Sequence, residues 1–301
     1  MSAISEQRKG ELFLFSEVVL WALFPIVIAF SLITLPVLTA FAWSTLFSGC
    51  FFALLMLFKG TWREMRNFLL WRYTAWAALF IGILYYGLYF TGMSMTSPGN
   101  ASLIALFEIF TSFMFFHVLY REHISIEHLV GALCMIIGAV IVFVPSLTTF
   151  NYGDLIILCA TFFAPVGNLF QQRARMIASS ETIMFMRTLL AAPVIFLFAY
   201  FFDFTEGVSM SAALPFLVIN GILLLGLSKI LWIETIHRIS VTKANALSAG
   251  AGPLLTFIFA WILLSQEPTL WQLVALAPFV AGVFLLTDYV RLSNRSPVIT
   301  S

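Results

Sequence analysis

Two carboxylates stand inside apolar stretches. Glu17 lies about six residues into a stretch that begins near residue 12, and Glu108 about nine residues into one that begins near residue 99. At 1.5 Å per helical residue, those depths are about 9 and 13 Å. A carboxylate in a bilayer is costly, so it must be protonated, paired with a cation or turned toward a cavity. Such a group can exchange a proton for a bound cation, because it cannot hold both at once. Glu17 and Glu108 are therefore the candidates for proton coupling.

Other residues offer the walls of a binding site. Trp21 is four residues after Glu17, on the same helix face. Trp43 and the trio Tyr85, Tyr86 and Tyr89 also lie within apolar runs, where rings stack on flat or cationic solutes. Asn100, Asn168 and Asn245 add amides, and Lys229 adds a cation able to meet a solute carboxylate. The first expectation for Lys229 and Arg187 is snorkelling or pairing, with Glu234 and Glu181 among the candidate partners. His117, His123 and His128 crowd one turn with Glu122 and Glu127, in a spacing that fits no standard metal motif. No metal site, cofactor or catalytic residue is expected. Walker, hydrolase-elbow, HExxH and CxxC patterns are absent, and Cys50, Cys134 and Cys159 all lie in apolar runs.

The elements that must hold these residues are read from composition. Of 301 residues, 61% are hydrophobic and only 10% charged, against about 25% charged in a soluble domain. Lipid must be the solvent, and the expected class is an all-α polytopic membrane protein. Apolar runs occupy about 12–30, 36–58, 69–91, 99–120, 126–146, 153–171, 181–202, 213–233, 243–264 and 269–290, most near the 20 residues a spanning helix needs. Arg and Lys fall at every second connection, and the alternate ones, near 31–35, 92–98, 147–152, 203–212 and 265–268, hold none. The positive-inside rule then puts both termini in the cytoplasm.

The chain repeats itself. At an offset of about 145 residues, Asn100 falls on Asn245, Ala101 on Ala246, Thr111 on Thr256, Leu119 on Leu264 and Glu122 on Glu267. Five runs separate equivalent positions, and five is odd, so the second copy enters the membrane upside down. The expected architecture is ten transmembrane helices in two inverted five-helix repeats, 1–146 and 153–290, followed by a cytoplasmic tail at 291–301. Inverted repeats are the architecture of secondary transporters, whose sites lie near mid-membrane at the repeat interface.

These features resemble the EamA-type branch of the drug/metabolite transporter superfamily. The segments NASLIAL and YREHISIEHLVGALCMIIGAVIVF of the first half carry the likeness, with NALSAGAGPLLTFIFAWILLSQEPTLWQLVALAPFVAGVFLL of the second. The openings Gly10-Glu11-Leu12 and Gly153-Asp154-Leu155 fit as well. Family halves often carry Pro midway along the fourth helix. Pro253 keeps it, whereas the first half has Glu108 there. Arg187 fits the family's second-helix Arg, whereas the first half has Trp43-Ser44. The stretch Ser16-Glu17-Val18-Val19 is similar to the first-helix carboxylate stretch of small multidrug resistance proteins, where proton and cationic substrate share the acid. The resemblance implies a non-enzymatic secondary transporter in a bacterial inner membrane, a proton-coupled exporter of an amino-acid-like, aromatic or cationic solute. Uptake or exchange of a charged metabolite is the alternative, and a non-transporting membrane scaffold a remote one. Partners are then a small solute, protons and lipid, with no nucleic acid.

Overall fold

Where water is absent, each segment must satisfy its own backbone N–H and C=O groups, and the helix does this without a partner. The computed structural model describes residues 6–120, 125–143, 151–203, 210–239, 241–287 and 289–290. Among them, all regular structure is helical. Eight helices are long and apolar enough to cross a membrane: α1 (Glu6–Leu32), α2 (Val37–Lys59), α3 (Phe68–Met93), α4 (Pro98–His117), α5 (Ile126–Phe143), α6 (Tyr152–Arg175), α7 (Ser180–Phe202) and α8 (Met210–Thr235). Two further helices complete the chain, α9 (Val241–Leu264) and α10 (Leu270–Leu286). The apolar parts of these last two are shorter, so length and composition single out eight spans where ten were expected.

Helix α1 starts six residues before the apolar run. Its charged first turns are held by Lys9 on Glu6 at 2.6 Å and by Gln7 donating to Glu11 at 3.1 Å, the i,i+3 and i,i+4 pairs a helix surface favours. Glu17 is therefore about 17 Å from the helix start at 1.5 Å per residue, and the first part of that distance is the charged lead.

The helices pair in a pattern that survives exchanging each helix for the one five places on. Helix α2 packs on α7, α5 on α10 and α4 on α9; α1 packs on α8 as α6 packs on α3, and α1 on α9 as α6 on α4. Small residues bring the axes together. A Cβ added at Gly10 would come within 2.9 Å of Arg238 and Ile239, and one at Gly153 within 2.6 Å of the Gly92 carbonyl. Gly131 and Gly138, seven apart on one face of α5, do the same against Leu285 and Phe279, the close approach that small residues allow.

Irregular turns recur at matching places. Helix α3 widens into a π segment at Ala78–Tyr85, and α8 into one at Ile219–Leu227. Tyr85 and Tyr86 correspond to Ser228 and Lys229 at an offset of 143 residues (228 − 85), the offset that also relates Gly10 to Gly153. A π turn adds one residue to the cycle and rotates the residues beyond it. Here it delivers two tyrosines in one half, and a serine and a lysine in the other.

The two ends of the bundle are closed by polar contacts. At one end, where α4, α6 and α10 begin, Asp154 accepts from the Thr96 hydroxyl and from Asn100 Nδ2 at 3.1 Å. Gln272 donates to Asn100 Oδ1 at 2.7 Å. Asp203 there accepts from Thr39 N at 2.6 Å and Thr39 Oγ1 at 2.8 Å. At the opposite end, Lys59 pairs with Glu181 at 3.4 Å and Arg238 with Glu6 at 3.1 Å. Glu64 accepts there from Ser179 N at 2.8 Å and Ser179 Oγ at 2.7 Å. Burial pushes the Glu64 carboxyl up, but the two Ser179 bonds, with Thr182 and Arg175, outweigh it and hold the group below its ordinary 4.5.

Candidate functional site

Between these closures, ionisable side chains from four helices converge on a column of rings. Trp21 stacks on Phe24 with centroids 4.6 Å apart, and Phe24 stacks on Tyr89 at 5.4 Å. Tyr89 stacks on Tyr85 at 6.1 Å, and Tyr85 meets Tyr86 edge to face at 5.1 Å. A cation caps each end of the column. Lys229 Nζ lies 3.3 Å from the Trp21 ring centroid, and Arg187 Cζ lies 5.9 Å from that of Tyr86. A cation held on a ring away from water is stabilised by about 2 kcal/mol or more.

Glu17 stands one turn before Trp21 and is almost wholly buried. Its Oε1 accepts from Ser228 Oγ at 3.4 Å, and its Oε2 has no hydrogen-bond partner among the described residues. Lys229 is close enough to interact electrostatically with both Glu17 and Glu108. It forms no ion pair within 4.0 Å among the described residues.

Glu108 belongs to a hydrogen-bonded relay. Arg187 Nη1 donates to Gln171 Oε1 at 3.1 Å, Gln171 Nε2 to Asn168 Oδ1 at 3.2 Å and Asn168 Nδ2 to Glu108 Oε1 at 3.3 Å. Tyr85 is close enough to the Glu108 carboxyl to interact with it. The relay thus runs from α7 through α6 to α4, with α3 beside it. Beside Arg187 and Tyr86 is a cavity of about 10 Å³, bounded also by Thr45, Ser48 and Thr188, room for about one water molecule.

Of the residues singled out from sequence, the structure gathers Glu17, Trp21, Tyr85, Tyr86, Tyr89, Glu108, Asn168 and Lys229. Trp43 lies elsewhere, against Phe47 and, edge to face at 5.5 Å, Phe196. Asn100 belongs to the Asp154 closure. The side chain of Asn245 lies outside the described residues, as do Glu122 and His123. His117 and His128 approach with ring centroids 5.2 Å apart beside Phe113.

The expected partners of the two intramembrane cations are corrected. Glu181 pairs with Lys59, and Glu234 with Arg238. Arg187 and Lys229 instead turn inward, onto rings and the relay. Lys229 and Glu234 are five residues apart, which is about 500° of helix, so they point to different sides.

Three contributors were not anticipated, and Phe24, between Trp21 and Tyr89, is one of them. Gln171 closes the last apolar turn of α6 and reads in the sequence as a boundary residue. Its spacing of three from Asn168 was the available signal, since i,i+3 amides on a helix meet. Ser228 precedes Lys229 and carries no signal, because the π segment before it decides where it points.

Against this geometry the relatives can be placed. The profile of the EamA-like transporter family matches residues 8–144 and again residues 151–288. The chain belongs to the EamA-like transporter family. It is a multi-pass integral membrane protein built on that family's two repeats. It is 21% identical over 216 residues to the uncharacterized transporter YoaV of Bacillus subtilis (strain 168), covering 70% of this chain and 73% of the relative. A solved crystal structure of a protein superposes with a TM-score of 0.69 at 19% identity, over 95% of this chain and all of the other. That likeness speaks to the fold alone.

Proposed function

We propose that this EamA-family chain is a secondary transporter, a proton-coupled exporter of a small organic solute bearing a cationic group. In this reading ten helices cross a bacterial inner membrane as two inverted units, 1–146 and 153–290, with the tail 291–301 and the N-terminus in the cytoplasm. The unit exposes its centre alternately to either side and performs no catalysis. One observation carries the proposal. Glu17, buried and with one oxygen unpartnered, stands a helical turn from an indole face that already holds a cation. Such a carboxylate accepts either a proton or a cationic solute, and the ring discriminates for the solute.

A second reading is uptake or exchange of an anionic metabolite. Arg187 and Lys229 favour it, since two buried cations suit a carboxylate or phosphate. Proteoliposomes loaded with a pH dye separate the two. Addition of organic cations changes internal pH under the first reading, and anion counterflow with no pH change supports the second.

A further inference from the structure

The position of Lys229 carries an inference that rests on the proposed transport of cations and deepens it. Three observations meet there. The lysine ammonium lies on the Trp21 ring at 3.3 Å from its centroid. It nevertheless forms no ion pair with Glu17, whose Oε2 is buried and without a partner. The two carboxylates within its electrostatic reach, Glu17 and Glu108, stand on helices of the first half, and Lys229 on one of the second.

An isolated lysine in such a setting would be drawn to the nearest carboxylate, because a buried charge is stable only when compensated. Instead the side chain fills the place that suits an organic ammonium: on a π face at the end of a column of stacked rings, with two carboxylates within electrostatic reach. Its stem crosses from α8 to α1. We propose that Lys229 is a tethered stand-in for the substrate cation. It occupies the Trp21 face when the site is empty and leaves it when an organic ammonium enters.

The chemistry of the exchange is simple. The incoming ammonium displaces the lysine from the ring, and the unit of charge it adds is offset by release of the Glu17 proton, so the charge of the site is the same before and after. In the empty carrier the lysine covers the ring while Glu17 holds the proton, and it is this protonated form that returns across the membrane. The displaced lysine becomes available to Glu17 or Glu108. The same residue sets specificity, because a ligand must compete with a lysine already bound at high effective concentration.

The test is binding, measured by calorimetry on the full chain in lipid nanodiscs with benzyltrimethylammonium, whose charge does not vary with pH. Lys229→Met should bind this probe at least tenfold more tightly than the wild type, because the competitor is gone and the carboxylates remain. Lys229→Arg, which keeps a cation on the ring, should bind no more tightly than the wild type. Adding Trp21→Ala to Lys229→Met should abolish the gain. Lys229→Gln carries the same expectation as Lys229→Met and decides the matter if the methionine variant does not fold. A Lys229→Met protein that folds and binds the probe no better than the wild type overturns the proposal, as does a gain that survives loss of Trp21. Flux is not read in this experiment. Tight binding without transport would therefore refute the transport reading and leave the stand-in lysine intact.

Discussion

Ser228 and Glu17 are 211 positions apart in the chain, yet the serine hydroxyl donates to one glutamate oxygen at 3.4 Å. That single neutral bond leaves the second oxygen unpartnered beside a cation-bearing indole. A structural carboxylate at such depth would be expected to have every lone pair engaged. The incomplete set is what a group needs if it is to exchange ligands.

Glu108 has the opposite character. Asn168 donates to it and Tyr85 lies close by, and substitutions should reveal that difference. Glu108→Gln keeps an acceptor of the same size and should cost under about 1 kcal/mol in thermal unfolding. Glu108→Leu takes the acceptor from the Asn168 amide and should cost about 1–3 kcal/mol. Gln171→Leu should weaken substrate binding several-fold while leaving the melting temperature close to that of the wild type, since Gln171 is partly exposed and only orients its neighbours.

Two glycines should respond in opposite ways. A Cβ at Gly138 would lie 2.8 Å from the ring of Phe279, which is fully buried, so Gly138→Ala should destabilise by about 1–3 kcal/mol through overpacking. Gly252 has nothing within 4 Å of such a Cβ. Gly252→Ala should therefore stabilise α9, by up to about 1 kcal/mol of helix propensity. Flux should nonetheless fall, because Gly252 and Pro253 are where that helix is able to bend. Melting curves read beside initial transport rates check both.

The all-helical membrane class, and the gathering of several candidate residues, were legible in the sequence because lipid imposes a simple rule. Apolar length reports spans, and a charge inside one reports a cavity or a partner. Glu17 with Trp21 and Tyr85 with Tyr89 could be grouped because each pair is one turn apart on its own helix. The contact between Lys229 and Trp21 could not, since it depends on how α8 meets α1 and on a π segment that leaves no mark in composition. Asn100 and Trp43 look alike in sequence to residues of the site. They are diverted by neighbours on other helices, Asp154 and Gln272 for the first and Phe196 for the second. The repeat itself predicted corresponding positions, but it could not say that one half would use tyrosines where the other uses serine and lysine.

The Glu64 latch should show in the pH dependence of stability. Its carboxyl is held below the ordinary 4.5, so the folded state prefers the charged form and gains stability from it above that value. The gain is lost as pH falls through the lowered value of the folded state. The wild type should unfold at a higher temperature than Glu64→Gln near neutral pH. The difference should shrink below about pH 4.5 and vanish under stronger acid.

Orientation is accessible to cysteine labelling in a background lacking Cys50, Cys134 and Cys159. Cysteines at Met95 and Gln266, both exposed at the closure end that holds Asp154, should react with impermeant reagents added outside cells. Those at Arg63 and Arg175, exposed at the opposite end, should react only after permeabilisation. The reverse pattern would overturn the positive-inside assignment and the cytoplasmic termini.

The most direct measurement is accumulation of labelled benzyltrimethylammonium by proteoliposomes under an imposed pH gradient, acid inside, with the membrane potential clamped. Wild-type protein should concentrate the cation above its external level as protons leave. Glu17→Asp should also do so, with a displaced pH optimum. Glu17→Gln should reach only the external level, because an amide exchanges no proton for a cation. A Glu17→Gln protein that concentrates the probe at the wild-type rate would contradict the assignment of Glu17 as the coupling group.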